Sequence, residues 1–490
     1  MKKIVSVLFF VLVVSTIQGQ ETLGSWGSNY GGVAASFQNP ALIANSRLYK
    51  DINLVGGSAS FYHNVEYLAD TTSKGTNFLY DAFDLKRPDA QLKYYKQNRP
   101  AMDKGYLMSR ELGPSYMLDR GNDAFAITLS SRQFLSFNKI PDVVAKLIKN
   151  GYPDAQTVLQ GSYAFDQPMR AAGMAWSEIA GTYARRLPST SKDLITLGVT
   201  LKYLIGQGGA YAYVDNISAQ VSNMSSVQID RSSFQTGISM PYDYRASSNV
   251  GWDKKISSGT GLGADLGFAL IHRRNIRNEV NSKQYCDQEF EDYDYRFSVA
   301  LLDLGSIKFN HNARYISASN TTPVSYNFRN TTNTTAEGIN QVLSIYGITG
   351  KDTISTFKKF SILLPTALSL QYDVRIADRV YSTLAAIVAV PLGKNAIVRP
   401  SQIAVIPRYE SDHFEVSLPL SLYEFTKPRV GLAARAYFLT LGTDRLFSIG
   451  KKTDYFGYDA YASVRINFMK IFKANFIKGQ CQESSKSGCW

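Results

Sequence analysis

The sequence is poor in the residues that most often do chemistry: three cysteines and four histidines among 490 residues. The histidines, His63, His272, His311 and His413, stand far apart, and none falls in an HExxH or HxxEH spacing that would hold a metal. A Gly-x-Ser-x-Gly elbow for a nucleophilic serine is also absent. Two glycine-rich runs, Gly206–Gly209 and Gly259–Gly263, lack the strand, helix and later acid of a dinucleotide fingerprint. We read them as a hairpin turn and a close-packed strand. These absences argue against an enzyme, and for no metal and no cofactor.

Long apolar runs are missing too. After the first 19 residues the best is Leu384 to Leu392, which is short and interrupted by Pro391, so no transmembrane helix is expected. There is no Gly-, Ser- or Pro-rich linker and no short repeat, which favours one large domain over several.

What is present begins at the N-terminus. Lys2 and Lys3 precede an apolar run from Ile4 to Ile17 and a polar stretch from Gln18 to Glu21, the layout of a secretory signal peptide over residues 1–19. No cysteine follows it to take a lipid. The net charge is +13, and removing Lys2 and Lys3 leaves +11. A basic surface suits anionic lipid headgroups, including lipopolysaccharide, or anionic solutes. Nucleic acid is not expected as a partner, because the basic residues are scattered through an exported chain. Tyrosine (31) and phenylalanine (26) far outnumber tryptophan (4). Such aromatics form the interfacial girdles of membrane barrels, and a β-sandwich could carry them as well.

The main signal is alternation with period two over segments of roughly ten residues, the pattern of strands with one face on lipid and one on a lumen. In Tyr458 to Met469, Ala460, Ala462, Val464, Ile466 and Phe468 share a face, while Asp459, Ser463, Arg465 and Asn467 share the other. A slip of one residue would put Arg465 into lipid, so the register is well determined. Similar alternation runs through 196–205, 368–376 and 414–422. Further strands are expected at 51–62, 123–137, 174–187, 227–237, 259–271, 295–308, 380–391, 402–409 and 430–441. The total is about 14, an antiparallel all-β transmembrane barrel. Two stretches break the pattern and read as short helices inserted in loops, Ile140 to Asn150 and Thr335 to Tyr346. Lys202, Arg375, Arg435 and Arg465 fall on polar strand faces, where they would line the lumen and favour anions.

Between signal and first strand runs Gly24-Ser-Trp-Gly-Ser-Asn-Tyr-Gly-Gly-Val-Ala-Ala-Ser-Phe-Gln-Asn-Pro-Ala41. Its Asn39-Pro40-Ala41 triplet resembles the plug of FadL-like outer-membrane fatty-acid channels. That resemblance implies a barrel of about 14 strands with Asn39, Pro40 and Ala41 in an N-terminal plug. Together with Arg132 to Pro141, Trp176 to Arg185 and Gly198 to Gln207, the Gln38-Asn-Pro-Ala opening looks like a Bacteroidota family of outer-membrane barrels of unknown function. This second resemblance implies fold and location, not activity.

The expected organisation is a signal peptide (1–19), a plug (20–49), a barrel (50–472) and a tail (473–490). In the tail, Cys481 and Cys489 are read as a disulfide over free thiols in an oxidising envelope. Cys286 opens an acidic stretch to Asp294, read as an exposed loop rather than a calcium site. Two functions remain open. One is a plugged outer-membrane channel for small or apolar solutes; the other is an accessory barrel bound to other envelope proteins in a secretion or assembly complex.

Overall fold

Period-two alternation with apolar residues pointing outwards can be satisfied only if the sheet closes on itself, because an edge strand in lipid would leave its backbone groups unpaired. The computed structural model describes residues 22–63, 66–70, 92–96, 103–141, 161–187, 192–223, 226–241, 255, 257–273, 293–320, 324–326, 354–446 and 457–469. Their strands form one closed antiparallel sheet of 14 strands, apart from a separate two-stranded sheet of Glu66–Asp70 and Leu92–Lys96.

The strands are β1 (Leu48–His63), β2 (103–119), β3 (Asp123–Ile140), β4 (161–187), β5 (Asp193–Asn223), β6 (Ser226–Ser239 and Gly259–Arg273), β7 (Tyr293–Phe309, Arg314–Asn320 and Val324–Tyr326), β8 (354–377), β9 (Val380–Ala389), β10 (Gln402–Glu410), β11 (414–423), β12 (427–436), β13 (Leu439–Thr443) and β14 (Gly457–Met469). Several are interrupted. In β2 and β11 the breaks fall at Pro114 and Pro419, which have no N–H to give the ladder. The two parts of β6, Ser226–Ser239 and Gly259–Arg273, pair with successive stretches of the long β5. Closure is direct: β14 pairs with β1 from Lys50↔Phe468 to Tyr62↔Gly457.

Burial runs inside out, as a membrane barrel requires. Every one of the 14 strands carries an exposed large apolar residue, from Leu54 on β1 through Leu201 on β5 and Val405 on β10 to Ile466 on β14. Many charged residues of the same strands, among them Asp51, Arg132, Glu178, Lys202, Asp303, Asp373, Arg408 and Arg465, are buried. At the end of the barrel where most turns are short, an aromatic belt surrounds the wall. Phe125 meets Tyr183, Tyr295 meets Tyr372 and Phe414 meets Tyr437. These amphipathic rings suit a headgroup interface.

Three sequence expectations change. The strand expected over Val430 to Leu441 is a hairpin turning at Tyr437 and Phe438, with Tyr437 at φ +51°. No glycine, asparagine or aspartate marks that turn. Both rings are exposed and belong to the belt, so an interfacial position has displaced ordinary turn chemistry. Gly206–Gly209 is not a hairpin turn: it lies inside the continuous 31-residue β5. Strand β2 was not anticipated at all. The helix expected at Ile140 to Asn150 meets strand at Ile140. Its remainder beyond Pro141, the helix at Thr335 to Tyr346, residues 1–19, Cys286 and the tail with Cys481 and Cys489 lie outside the described residues.

Candidate functional site: the occupied lumen

Residues 22–46 enter the barrel at the short-turn end and fill that half of it. They form three short 3-10 turns, Leu23–Ser25, Gly32–Phe37 and Pro40–Asn45, and most of their side chains are buried. Small residues let the segment press against the wall. Gly27 and Gly32 have φ of +76° and +52°, and a Cβ there would collide with Thr383 and Asp51.

Asn39 is the N-cap of the last turn. Its side chain accepts from the Ala41 N–H at 2.9 Å, and Pro40 follows at the first helical position. The amide nitrogen of Asn39 donates to two wall carbonyls, Phe268 at 3.0 Å and Val299 at 3.1 Å, on neighbouring strands. The wall is bare where the triplet sits. Gly198 of β5 and Gly267 of β6 are register partners, and a Cβ on either would overlap Ala41 and its neighbours in the triplet.

The rest of the segment is held by charged wall residues. The Asn29 side chain donates to Glu410 at 2.8 Å, and its N–H donates to the same carboxylate at 3.1 Å. Arg465 donates to the Gly31 carbonyl at 2.6 Å, and the Val33 N–H donates to Asp51 at 2.8 Å. Ser28 donates to Glu415, and the Leu23 N–H to Asp444 at 2.9 Å. Hydrogen bonds with an ionised partner are the stronger kind, so these contacts fix the segment's position.

Above the segment lies a belt of buried ion pairs. Arg132 makes two hydrogen bonds to Asp303, at 2.7 and 2.9 Å, and a longer contact to Glu178. Lys202 bridges Asp265 at 2.8 Å and Asp303 at 2.7 Å. Trp176 donates to Glu178, and the Arg132 guanidinium lies over its ring. Asp303 reaches this belt through a bulge in β7. With φ at +56°, it is buried next to the equally buried Leu302, breaking the alternation, and its N–H turns to Asp265.

At the opposite end the connection 390–401, between β9 and β10, folds back into the barrel. The Leu363 N–H of β8 donates to the Asn395 carbonyl, and the Ile397 N–H donates to the Leu363 carbonyl. The Val398 N–H crosses to Ser136 of β3, and Arg399 lies 3.8 Å from Asp303. Between this strap and the N-terminal segment remains a chamber of about 100 Å³. Trp26, Phe37, Arg110, Leu112, Leu302 and Arg399 are among its lining residues.

The basic residues singled out from sequence are all paired. Lys202 has Asp265 and Asp303, Arg435 has Glu415, Arg465 has Asp51, and Arg375 has Asp378 near the rim. The expected anion preference of those four therefore loses its basis, because wall carboxylates answer them. Those carboxylates, with Arg132, Arg296 and Arg408, were missed as site residues. For Asp303 a signal existed: Gly305 two residues later, inside an apolar strand, is a mark of a bulge. Among the described residues no group of three or more His, Cys, Asp or Glu is placed to hold a metal ion.

The fold and its apolar exterior define a membrane-spanning β-barrel of the outer-membrane type, with an occupied lumen. Residues 40–444 match the model of the Family of unknown function (DUF5723), and the chain belongs to that family. No curated protein matches it. Among solved structures it is similar to the Pseudomonas putida toluene transporter TodX, with 8% identity, 91% of this chain and 95% of that one covered, and a TM-score of 0.36. It is also similar to the Ralstonia pickettii toluene transporter TbuX, with 8% identity, 89% and 94% coverage and a TM-score of 0.35. A Pseudomonas aeruginosa FadL homologue is 10% identical over 91% of this chain and 98% of its own, with a TM-score of 0.24.

Proposed function

We propose that the protein is a plugged outer-membrane channel for small or apolar solutes, in which residues 22–46 are the plug and Asn39, Pro40 and Ala41 are its fixed seat. The observation that carries this reading is the hollow left between the N-terminal segment and the strap at 390–401. A barrel built only as a scaffold gains nothing from a lumen that is blocked at two levels and left hollow between them. The segment is held both by directional hydrogen bonds and by apolar packing. Tyr30, Val33 and Ile43 pack on Met117, Ala124 and Ala184, and Leu23 and Trp26 on Ala385, Ile387 and Ile406. A plug that opens therefore has to trade both kinds of contact. The short-turn end would face the periplasm and the longer connections the outside, with the aromatic belt in lipid or lipopolysaccharide headgroups. The test is uptake of small neutral solutes by liposomes holding the purified chain, against a variant lacking residues 22–46. Equal, negligible permeability of both would overturn the channel reading.

An accessory role in an envelope complex has one observation in its favour. Strand β5 has 31 residues, about 100 Å when extended, against an apolar band of about 25 Å. With the outer parts of β6 and β7 it makes a blade standing well clear of the membrane, on which other envelope proteins could dock. Stoichiometric partners in a mild-detergent purification would favour this second role, and a lone barrel would count against it.

A further inference from the structure

The chamber is not electrically balanced. Around it stand five cations, Arg110, Arg132, Lys202, Arg399 and Arg465, and four carboxylates, Asp51, Glu178, Asp265 and Asp303. The surplus can be assigned to one residue. Arg132, Lys202, Arg399 and Arg465 each lie within 4.0 Å of a carboxylate oxygen. Among the described residues Arg110 has no such contact. Its guanidinium lies 4.3 Å from the centre of the Phe37 ring, and its buried Nε has no hydrogen-bond partner. Its register partner on β3 is Arg132, a second cation, and the nearby carboxylates Glu178 and Asp303 are already bonded to Arg132.

A half-buried guanidinium beside another cation, facing a hollow, is costly unless something with a negative charge comes to it. The surroundings say what shape would fit. Trp26, Phe37, Leu112 and Leu302 give the chamber apolar walls, and a guanidinium stacked on a ring keeps its fork of N–H donors free at the edge. We propose that Arg110 is the charge-selective subsite of the chamber, and that it takes a compact monocarboxylate whose apolar body lies against Trp26 and Phe37. The inference rests on the channel reading for its purpose, since it names the class of solute that would pause there. The binding step is a non-covalent one, a forked pair of charge-assisted hydrogen bonds.

Benzoate is a suitable probe, with benzamide as its uncharged isostere. Calorimetry on the full chain in detergent should show saturable benzoate binding that weakens about tenfold or more in Arg110→Gln, the loss of a charged hydrogen bond. Arg110→Lys should keep part of the affinity, and benzamide should bind the wild type no better than it binds Arg110→Gln. Heat-modifiable migration on gels confirms that each variant is a folded barrel. The proposal is overturned if benzoate does not saturate, if Arg110→Gln binds it like the wild type, or if benzamide binds the wild type as tightly as benzoate does. Neutral-solute uptake by liposomes is read separately. Uptake without benzoate binding removes the subsite and leaves the channel, whereas benzoate binding without uptake in either the wild type or the chain lacking 22–46 removes the channel and leaves the subsite.

Discussion

The two halves of the lumen are filled by different physics. At the short-turn end charged inward residues alternate with small or apolar ones, and residues 22–46 are held both by directional hydrogen bonds to Glu410, Asp51, Arg465 and Asp444 and by packing on Met117, Ala124, Ala184 and Ile387. At the other end the inward positions are apolar. There Tyr62, Phe134, Trp176, Tyr211, Phe309, Phe360 and Ile362 form a packed cluster that Ile397 of the strap joins. The mixed lining positions a segment through hydrogen bonds that water can replace as they break, while its apolar contacts hold the segment in place. An apolar lining resists opening, because opening wets it.

The contrast can be broken in four places, taken from the largest effect to the smallest. Replacing both Gly198 and Gly267 by valine fills the bare patch under Asn39-Pro40-Ala41, at about 1–3 kcal/mol per site in overpacking. The expected outcome is displacement of the segment, and a planar-bilayer current approaching that of a chain lacking residues 22–46. An unchanged current would mean that the triplet is not what seats the plug. Next, Asp303→Asn keeps the shape but leaves Arg132 and Lys202 without their shared carboxylate, and should cost about 3–5 kcal/mol in urea unfolding from detergent. A loss under 1 kcal/mol would show that the belt does not hold the barrel together.

In the apolar half the same kind of isosteric change should be tolerated. Ile362→Leu, at a fully buried position, is expected to cost less than about 1.5 kcal/mol by the same unfolding measurement. A cost matching that of Asp303→Asn would erase the distinction between the halves. The smallest effect belongs to Ser136→Ala, which removes the hydrogen bond from Val398 across the lumen and should cost about 1 kcal/mol. If proteolysis at 390–401 is nevertheless strongly accelerated, the strap depends on that one bond rather than on the apolar cluster.

The same division explains how much could be read beforehand. On β14 the alternation of Val464 and Ile466 with Arg465 is unambiguous, because lipid and a polar lumen demand opposite residues. In the outer stretch of β5 both faces tolerate apolar or small residues, and the pattern fades. Gly206 and Gly209 were taken for a turn for that reason. In the structure their missing side chains make room for the ring of Phe309, with Ile307 and Ile362 beside it, so their purpose is close packing and not chain reversal. The site was harder to see than the wall. Lys202, Arg435 and Arg465 were visible as lone charges in apolar strands. The carboxylates that neutralise them come from other strands, or from positions such as Asp303 that break the alternation.

By itself the sequence determined the closed barrel, since a repeated period of two with apolar residues facing out leaves no other way to satisfy the backbone in lipid. It also marked the Asn39-Pro40-Ala41 segment as distinct from the strands that follow. Only the tertiary structure decided that the basic lumen residues are neutralised, that 390–401 crosses the barrel, and that Arg110 is left facing the chamber. Charge balance in a barrel is settled across strands far apart in the chain, and no local pattern records which carboxylate a given cation will meet.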